Sequence, residues 1–221
     1  MTTRLHYASG ACSFVPHAAL ETIAAATGET FEFAPIRLHK GEQRTPEYLA
    51  LNPNGQVPLL VVDDRPLSQI VAICEYLASR HPQCGLLPAD PWLRAQQLSM
   101  LAWMNNTVHP TFTHFFMPAK FTDDPAAQAS IKAQAAVQYR GHLERIQGWL
   151  ACAQPWLGGE RASFVDWYAL TLFRWGGFAG IDPATLPEYR AFVGRLADTP
   201  AVAAAMAREK IDLETYKPAT A

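Results

Sequence analysis

The chain has 221 residues, 49% hydrophobic and 17% charged, with a net charge of -2. That length suits two packed units rather than one core, and the composition excludes a disordered chain. With no basic run, no aromatic-plus-Lys stripe and no apolar stretch of bilayer length, neither nucleic acid nor membrane is an expected partner.

Arg4 to Tyr7 reads as a short strand, and Ser9-Gly10 turns the chain. From Ser13 to Thr27, Val15, Ala18, Ala19, Ile23 and Ala26 recur at helical spacing until Gly28 stops the pattern. Phe31 to Ile36 alternates as a strand does. Thr45 and Pro46 open a short helix through Leu51, as N-cap and first helical residue. Val57 to Val62 is a continuous apolar run, hence a buried strand, and Asp63-Asp64 turns it into Pro66-Leu67. Ser68 is placed to cap a helix running to about Arg80. The order βαβ, α, ββα implies a parallel pair with an antiparallel edge, an α+β unit of thioredoxin-like layout over residues 1–80.

Residues 81–91 carry three prolines and a glycine and read as a linker. Beyond them, 92–221 read as an all-α bundle. Trp92 to Pro110 forms one long segment that Pro110 should kink or break. Asp124-Pro125 opens a helix to about Cys152, and Ser163 to Phe178, Leu186 to Leu196 and Ala201 to Arg208 follow. Ser163 and Asp166 have the spacing of a capping pair; a catalytic Ser/Asp reading exists, but the apolar run behind them marks a core helix.

Cys12, Cys74, Cys84 and Cys152 are scattered, with no C-x-x-C pair and no zinc spacing, so free thiols in a reducing compartment and no metal are expected. Cys12 differs from the rest because a strand hands over to a helix there. Free N–H groups and partial positive charge at a helix start stabilise a thiolate, so Cys12 is expected to be the most reactive of the four. Ser13 fits either a cap or the cleft, and Tyr7 either the cleft or the core.

Tyr7-Ala8-Ser9-Gly10-Ala11-Cys12-Ser13 with Pro16-His17, then Leu51-Asn52-Pro53-Asn54-Gly55-Gln56-Val57-Pro58, then Gly159 to Arg174, resemble bacterial beta-class glutathione transferases in order and spacing. The resemblance covers nearly the whole chain. It implies a cytoplasmic homodimer, paired through the apolar Trp92 to Met104 face, that takes glutathione as co-substrate and joins its thiolate to a small apolar electrophile. It places Cys12 beside the glutathione sulfur, able to form a mixed disulfide with it, and His109 facing the cleft near that cysteine. Tyr7 and Ser13 are secondary candidates. Gln56, Val57 and Pro58 would bind the peptide backbone of glutathione, Val57 pairing like an added strand before a cis Pro58. Gln69 and Ile70, opening the third helix, would hold the γ-glutamyl end, with Asn106 assisting. Ile70 replaces a small residue of the family, and Ala102 a polar one. Some of the aromatic residues from Phe112 to Phe121 would line the co-substrate pocket. Two rivals share this fold: a glutathione-dependent disulfide reductase with Cys12 as nucleophile, and a non-enzymatic binding protein, which Ile70 and Ala102 favour.

Overall fold

The computed structural model describes residues 2–153 and 155–217; positions 218–221, the expected end of the helical unit, lie outside the described residues. Four strands, β1 (Thr3–Tyr7), β2 (Glu32–Pro35), β3 (Leu59–Val62) and β4 (Arg65–Ser68), form one sheet in the order β2-β1-β3-β4. β1 runs parallel to β2 and antiparallel to β3, and β3 and β4 are antiparallel. The parallel pair needs a crossover, supplied by α1 (Phe14–Thr27), which ends where Gly28 adopts φ 75°. Asp63 and Asp64 both take positive φ (45° and 64°), which gives a two-residue hairpin loop the twist its strands require. Thr45 Oγ1 accepts the Tyr48 N–H and starts α2 (Pro46–Leu51).

The last helix of the sheet unit, α3 (Ile70–Arg80), departs from expectation at its start. Ser68 ends β4, and the N-cap is Gln69 at φ 74°, which makes no side-chain cap bond.

The helical unit comprises α4 (Pro91–Trp103), α5 (His109–Phe116), α6 (Pro125–Leu150), α7 (Phe164–Phe178), α8 (Pro187–Ala197) and α9 (Pro200–Glu209). Pro110 does not break the path between α4 and α5. Met104–Val108 switches to π-helical bonding, and the His109 N–H reaches Met104 O. The wider turn accommodates a proline that lacks an N–H and would crowd the preceding turn of an α-helix. α7 forms the hub: its residues Phe164 to Gly176 are all buried. α1 packs on α3 on one side and on α7 and α9 on the other, so the two units share a core. Among the described residues no helix is long and apolar enough to cross a membrane.

Candidate active site

Between the C-terminal ends of β1 and β4, the start of β3 and the α4–α5 junction lies a cleft of about 380 Å³. The sheet unit lines it with Cys12, Asn52, Gln56, Val57, Pro58, Ser68, Gln69 and Ile70; the helical unit contributes Asn105 and His109. A separate cleft of about 240 Å³ beneath Leu213, Thr215 and Tyr216 is lined by Leu143 of α6, Phe173 and Gly177 of α7, and Ile181, Pro183 and Leu186 of the segment after α7, with no cysteine or histidine.

Cys12 precedes α1 by two residues and is 7% exposed. Burial pushes its thiol up to about 12, and the Glu209 carboxylate adds to the rise; the backbone N–H groups of Cys12 and Ser13 pull the other way and lose. The expected thiolate is therefore not what the fold holds. Charge at a helix start is worth on the order of 1 kcal/mol, whereas the net rise of the thiol to about 12, led by desolvation with Glu209 adding to it, corresponds to about 4 kcal/mol. Cys12 is a neutral thiol whose Sγ donates a long bond to Val57 O at 3.7 Å.

The Val57–Pro58 peptide bond is cis. The loop before it is pinned at one atom: Gln56 O accepts from Tyr48 Oη and from Asn52 Nδ2, each at 2.7 Å. Across the cleft Gln69 holds a left-handed backbone that side chains adopt only under constraint, fixed between β4 and α3. The first N–H groups of α3 lack a side-chain cap. Ile70 presents part of its side chain to the cleft but is 4% exposed, most of it lying in the core.

His109 stands on the first residue of α5. Its Nδ1 meets Tyr168 Oη at 2.8 Å, and its ring packs edge-on to Trp175 with centroids 4.7 Å apart. Burial, aided by Lys120, lowers the imidazole to about 4, so it is neutral near pH 7. Trp175 Nε1 in turn donates to Gly10 O at 2.9 Å. The loop from Ser9 to Cys12 is held further by the far end of the chain: Ser9 Oγ donates to Glu209 O at 2.5 Å, and Gly10 N to Glu209 Oε2 at 2.8 Å. Glu209 Oε1 faces His17 Nδ1 at 2.8 Å, both side chains buried.

Three residues proposed from the sequence do not line the cleft. Tyr7 is in the core, against His17 and Phe33. Ser13 is fully buried, neither capping α1 nor facing the cleft; its Oγ accepts from Ala8 N at 3.0 Å and donates to Ala8 O at 3.2 Å, which closes the turn before the helix. Asn106 is exposed, and its neighbour Asn105 faces the cleft instead. Asn105 lies four residues before His109, the spacing at which helical residues share a face, so the two reach the cleft together. Asn52 and Ser68 were missed, the first read only as part of a motif and the second as a helix cap. Ser163 and Asp166 form the expected capping box at α7, away from the cleft. Among the described residues no group of three or more His, Cys, Asp or Glu is placed to hold a metal.

A mixed sheet joined to a helical unit, with a cleft at the strand ends that holds a cysteine and a histidine, defines a thioredoxin-like protein with its candidate site where the two units meet. Residues 4–79 match the glutathione S-transferase N-terminal domain and residues 104–200 the glutathione S-transferase C-terminal domain. Glutathione S-transferase GST-4.5 of Xanthomonas campestris pv. campestris is 30% identical over 210 residues, covering 95% of this chain and 100% of that protein. The glutathione S-transferase structure from Xylella fastidiosa superposes with a TM-score of 0.85 at 30% identity, over 95% of this chain and 100% of the other. A sphingomonad glutathione S-transferase complexed with glutathione superposes with a TM-score of 0.80 at 33% identity, again over 95% and 100%. The chain belongs to the glutathione S-transferase family.

Proposed function

We infer that this protein is a glutathione transferase that binds glutathione in the Cys12–His109 cleft and joins its sulfur to an electrophilic, apolar co-substrate. The observation that carries this reading is that one cleft gathers Cys12, the Val57 backbone, the uncapped start of α3 and His109, in a chain 33% identical to a transferase complexed with glutathione. Val57 would pair with the peptide backbone of glutathione, with Gln56 and Pro58 shaping that edge. Gln69 and the N–H groups at the start of α3 would take the γ-glutamyl carboxylate.

The thiol chemistry follows from the two pKa directions. A proton moving from a free thiol near 8.5 to an imidazole at about 4 goes uphill by roughly 6 kcal/mol. His109 therefore acts first as an acceptor that orients the glutathione S–H rather than as a strong base. Cys12, un-ionised, can donate its own S–H to the glutathione sulfur as negative charge grows there. The sulfur then forms a bond to the electrophilic carbon as its own proton, oriented by His109, passes to water, and the leaving group departs with its electron pair, so that the thiol and the electrophile yield the thioether and the acid of the leaving group. A neutral, buried Cys12 favours this over the disulfide-reductase reading, which needs Cys12 itself as thiolate.

Calorimetry with glutathione and turnover with an aryl halide test the assignment. Saturable binding, with turnover that Cys12→Ala lowers but does not abolish, supports it. Absence of binding, or disulfide reduction that vanishes in Cys12→Ala, overturns it. The same reading includes cytoplasmic residence, a sheet unit over 1–80 and a helical unit over 92–221, and a homodimer through the α4 face. At the start of α4, Trp92 is 71% and Leu93 52% exposed, and light scattering on the purified chain measures the mass directly.

A further inference from the structure

We propose that Tyr168 and Asn105 fix the tautomer of His109, so that Nδ1 carries the ring proton and Nε2 offers its lone pair to the cleft. The argument counts protons along a chain of hydrogen bonds. Asn105 Nδ2 donates to Asn106 Oδ1 at 2.8 Å, which sets the orientation of the Asn105 amide and turns its Oδ1 toward Tyr168. An amide oxygen only accepts, so the 3.3 Å contact between Tyr168 Oη and Asn105 Oδ1 consumes the single phenolic proton. Tyr168 Oη still meets His109 Nδ1 at 2.8 Å, and with its own proton committed it can only accept there. The hydrogen must come from the ring, and a neutral imidazole protonated at Nδ1 is unprotonated at Nε2.

Neither the phenol nor the ring has an easy alternative. Tyr168 is fully buried in α7, where a hydroxyl needs a partner. Trp175, packed edge-on against the imidazole and itself bonded to Gly10 O, holds the ring's orientation. Tyr168 and Asn105 are thus positioning residues that act through His109. The catalytic consequence rests on the transferase reading, because a thiol S–H needs an acceptor in the cleft; the tautomer itself does not. Asn106 acquires a role three hydrogen bonds away from the histidine, not in the cleft where the sequence placed it.

The test uses the full chain labelled with 15N-histidine, the His109 signal being assigned by its loss in His109→Gln. Long-range proton–nitrogen correlation at neutral pH should show a protonated-type shift at Nδ1 and an unprotonated-type shift at Nε2. Asn105→Ala frees the Tyr168 proton to turn toward Nδ1, so the populations should move toward the Nε2–H form and kcat should fall about tenfold. Asn105→Asp, which still only accepts at neutral pH, should restore the wild-type pattern and most of the rate. Tyr168→Phe should remove the preference altogether, and if it fails to fold, the Asn105 pair carries the test. A wild-type Nε2–H tautomer, or an Asn105→Ala spectrum identical to wild type, overturns the proposal. If the spectra behave as expected but wild type neither binds nor turns over glutathione, the tautomer assignment stands and the transferase reading falls.

Discussion

Replacing Asp166 by Ala should unfold the protein several degrees earlier while leaving catalysis per folded molecule intact. Asp166 is fully buried and accepts three backbone N–H groups: Leu157 at 2.7 Å, Gly158 at 3.1 Å and Ser163 at 2.8 Å. It therefore ties the loop before α7 to the first turn of the hub helix. Loss of the cap costs about 1 kcal/mol. The Ser163 N–H, buried with its residue, is then stranded at a further ~1–3 kcal/mol, whereas the part-buried Leu157 and Gly158 N–H groups can recruit water. The sum is about 2–4 kcal/mol, or a fall in Tm of about 5–15 °C for a chain of this size. Parallel thermal melts and turnover, normalised to folded protein, decide the matter. An unchanged Tm with collapsed turnover would refute the capping argument and make Asp166 part of the chemistry.

Buried Asp166 and part-buried His109 should give opposite pH dependences of stability. Burial raises the Asp166 carboxyl from 3.8 to about 6, so between those values the folded chain keeps a proton the unfolded chain has released, and stability falls by about 3 kcal/mol as pH rises through the window. Burial lowers His109 from 6.5 to about 4, so there the unfolded chain is the more protonated and stability rises by a similar amount with pH. Urea titrations from pH 4 to 7 should show Asp166→Asn gaining on wild type, and His109→Gln losing to it, as pH increases; curves parallel to wild type would contradict both. Iodoacetamide at neutral pH should label exposed Cys152 before buried Cys12, and peptide mass spectrometry showing Cys12 first would mean the cleft ionises it after all. Gly177→Ala should lift the C-terminal segment, since a Cβ there would lie 2.1 Å from Thr215 Oγ1 and 2.6 Å from Tyr216 N. Limited proteolysis should then cut within 211–217, at a stability cost of about 1–3 kcal/mol, and a tail still protected would show that the segment yields elsewhere.

The elements were legible because their signals are local. Thr45-Pro46, Asp124-Pro125, Gly28 and the Asp63-Asp64 pair each mark an end or a turn by their own chemistry, and the structure uses each there. Features that depend on several elements at once were not legible. Ser13 looks like a helix cap until the fold brings Ala8 back over it. The Cys12 thiol looks activated by its helix until burial and a carboxylate nearly two hundred residues away are counted. Asn105 hides behind Asn106 because both are amides within one turn of His109, and only the folded cleft separates the lining residue from the exposed one. Tyr168 reads as one more apolar-run residue of α7, and only the packing of that helix against α4 and the π turn reveals its hydroxyl beside His109.

The bonds from Ser9 and Gly10 to Glu209 join residues 200 and 199 positions apart. A ribosome adding roughly 5–20 residues per second takes on the order of 10–40 s to make the second partner after the first. Once residue 80 has been made the sheet unit has every strand and its own helices, yet for the remaining 129 residues up to Glu209 the loop that carries Cys12 lacks the carboxylate that fixes it. A chain cut at residue 200 should accordingly leave that loop mobile, which amide exchange at Gly10 would register. The loop that carries Cys12, made near the start of synthesis, is thus fixed only once α9 has been made and folded against it.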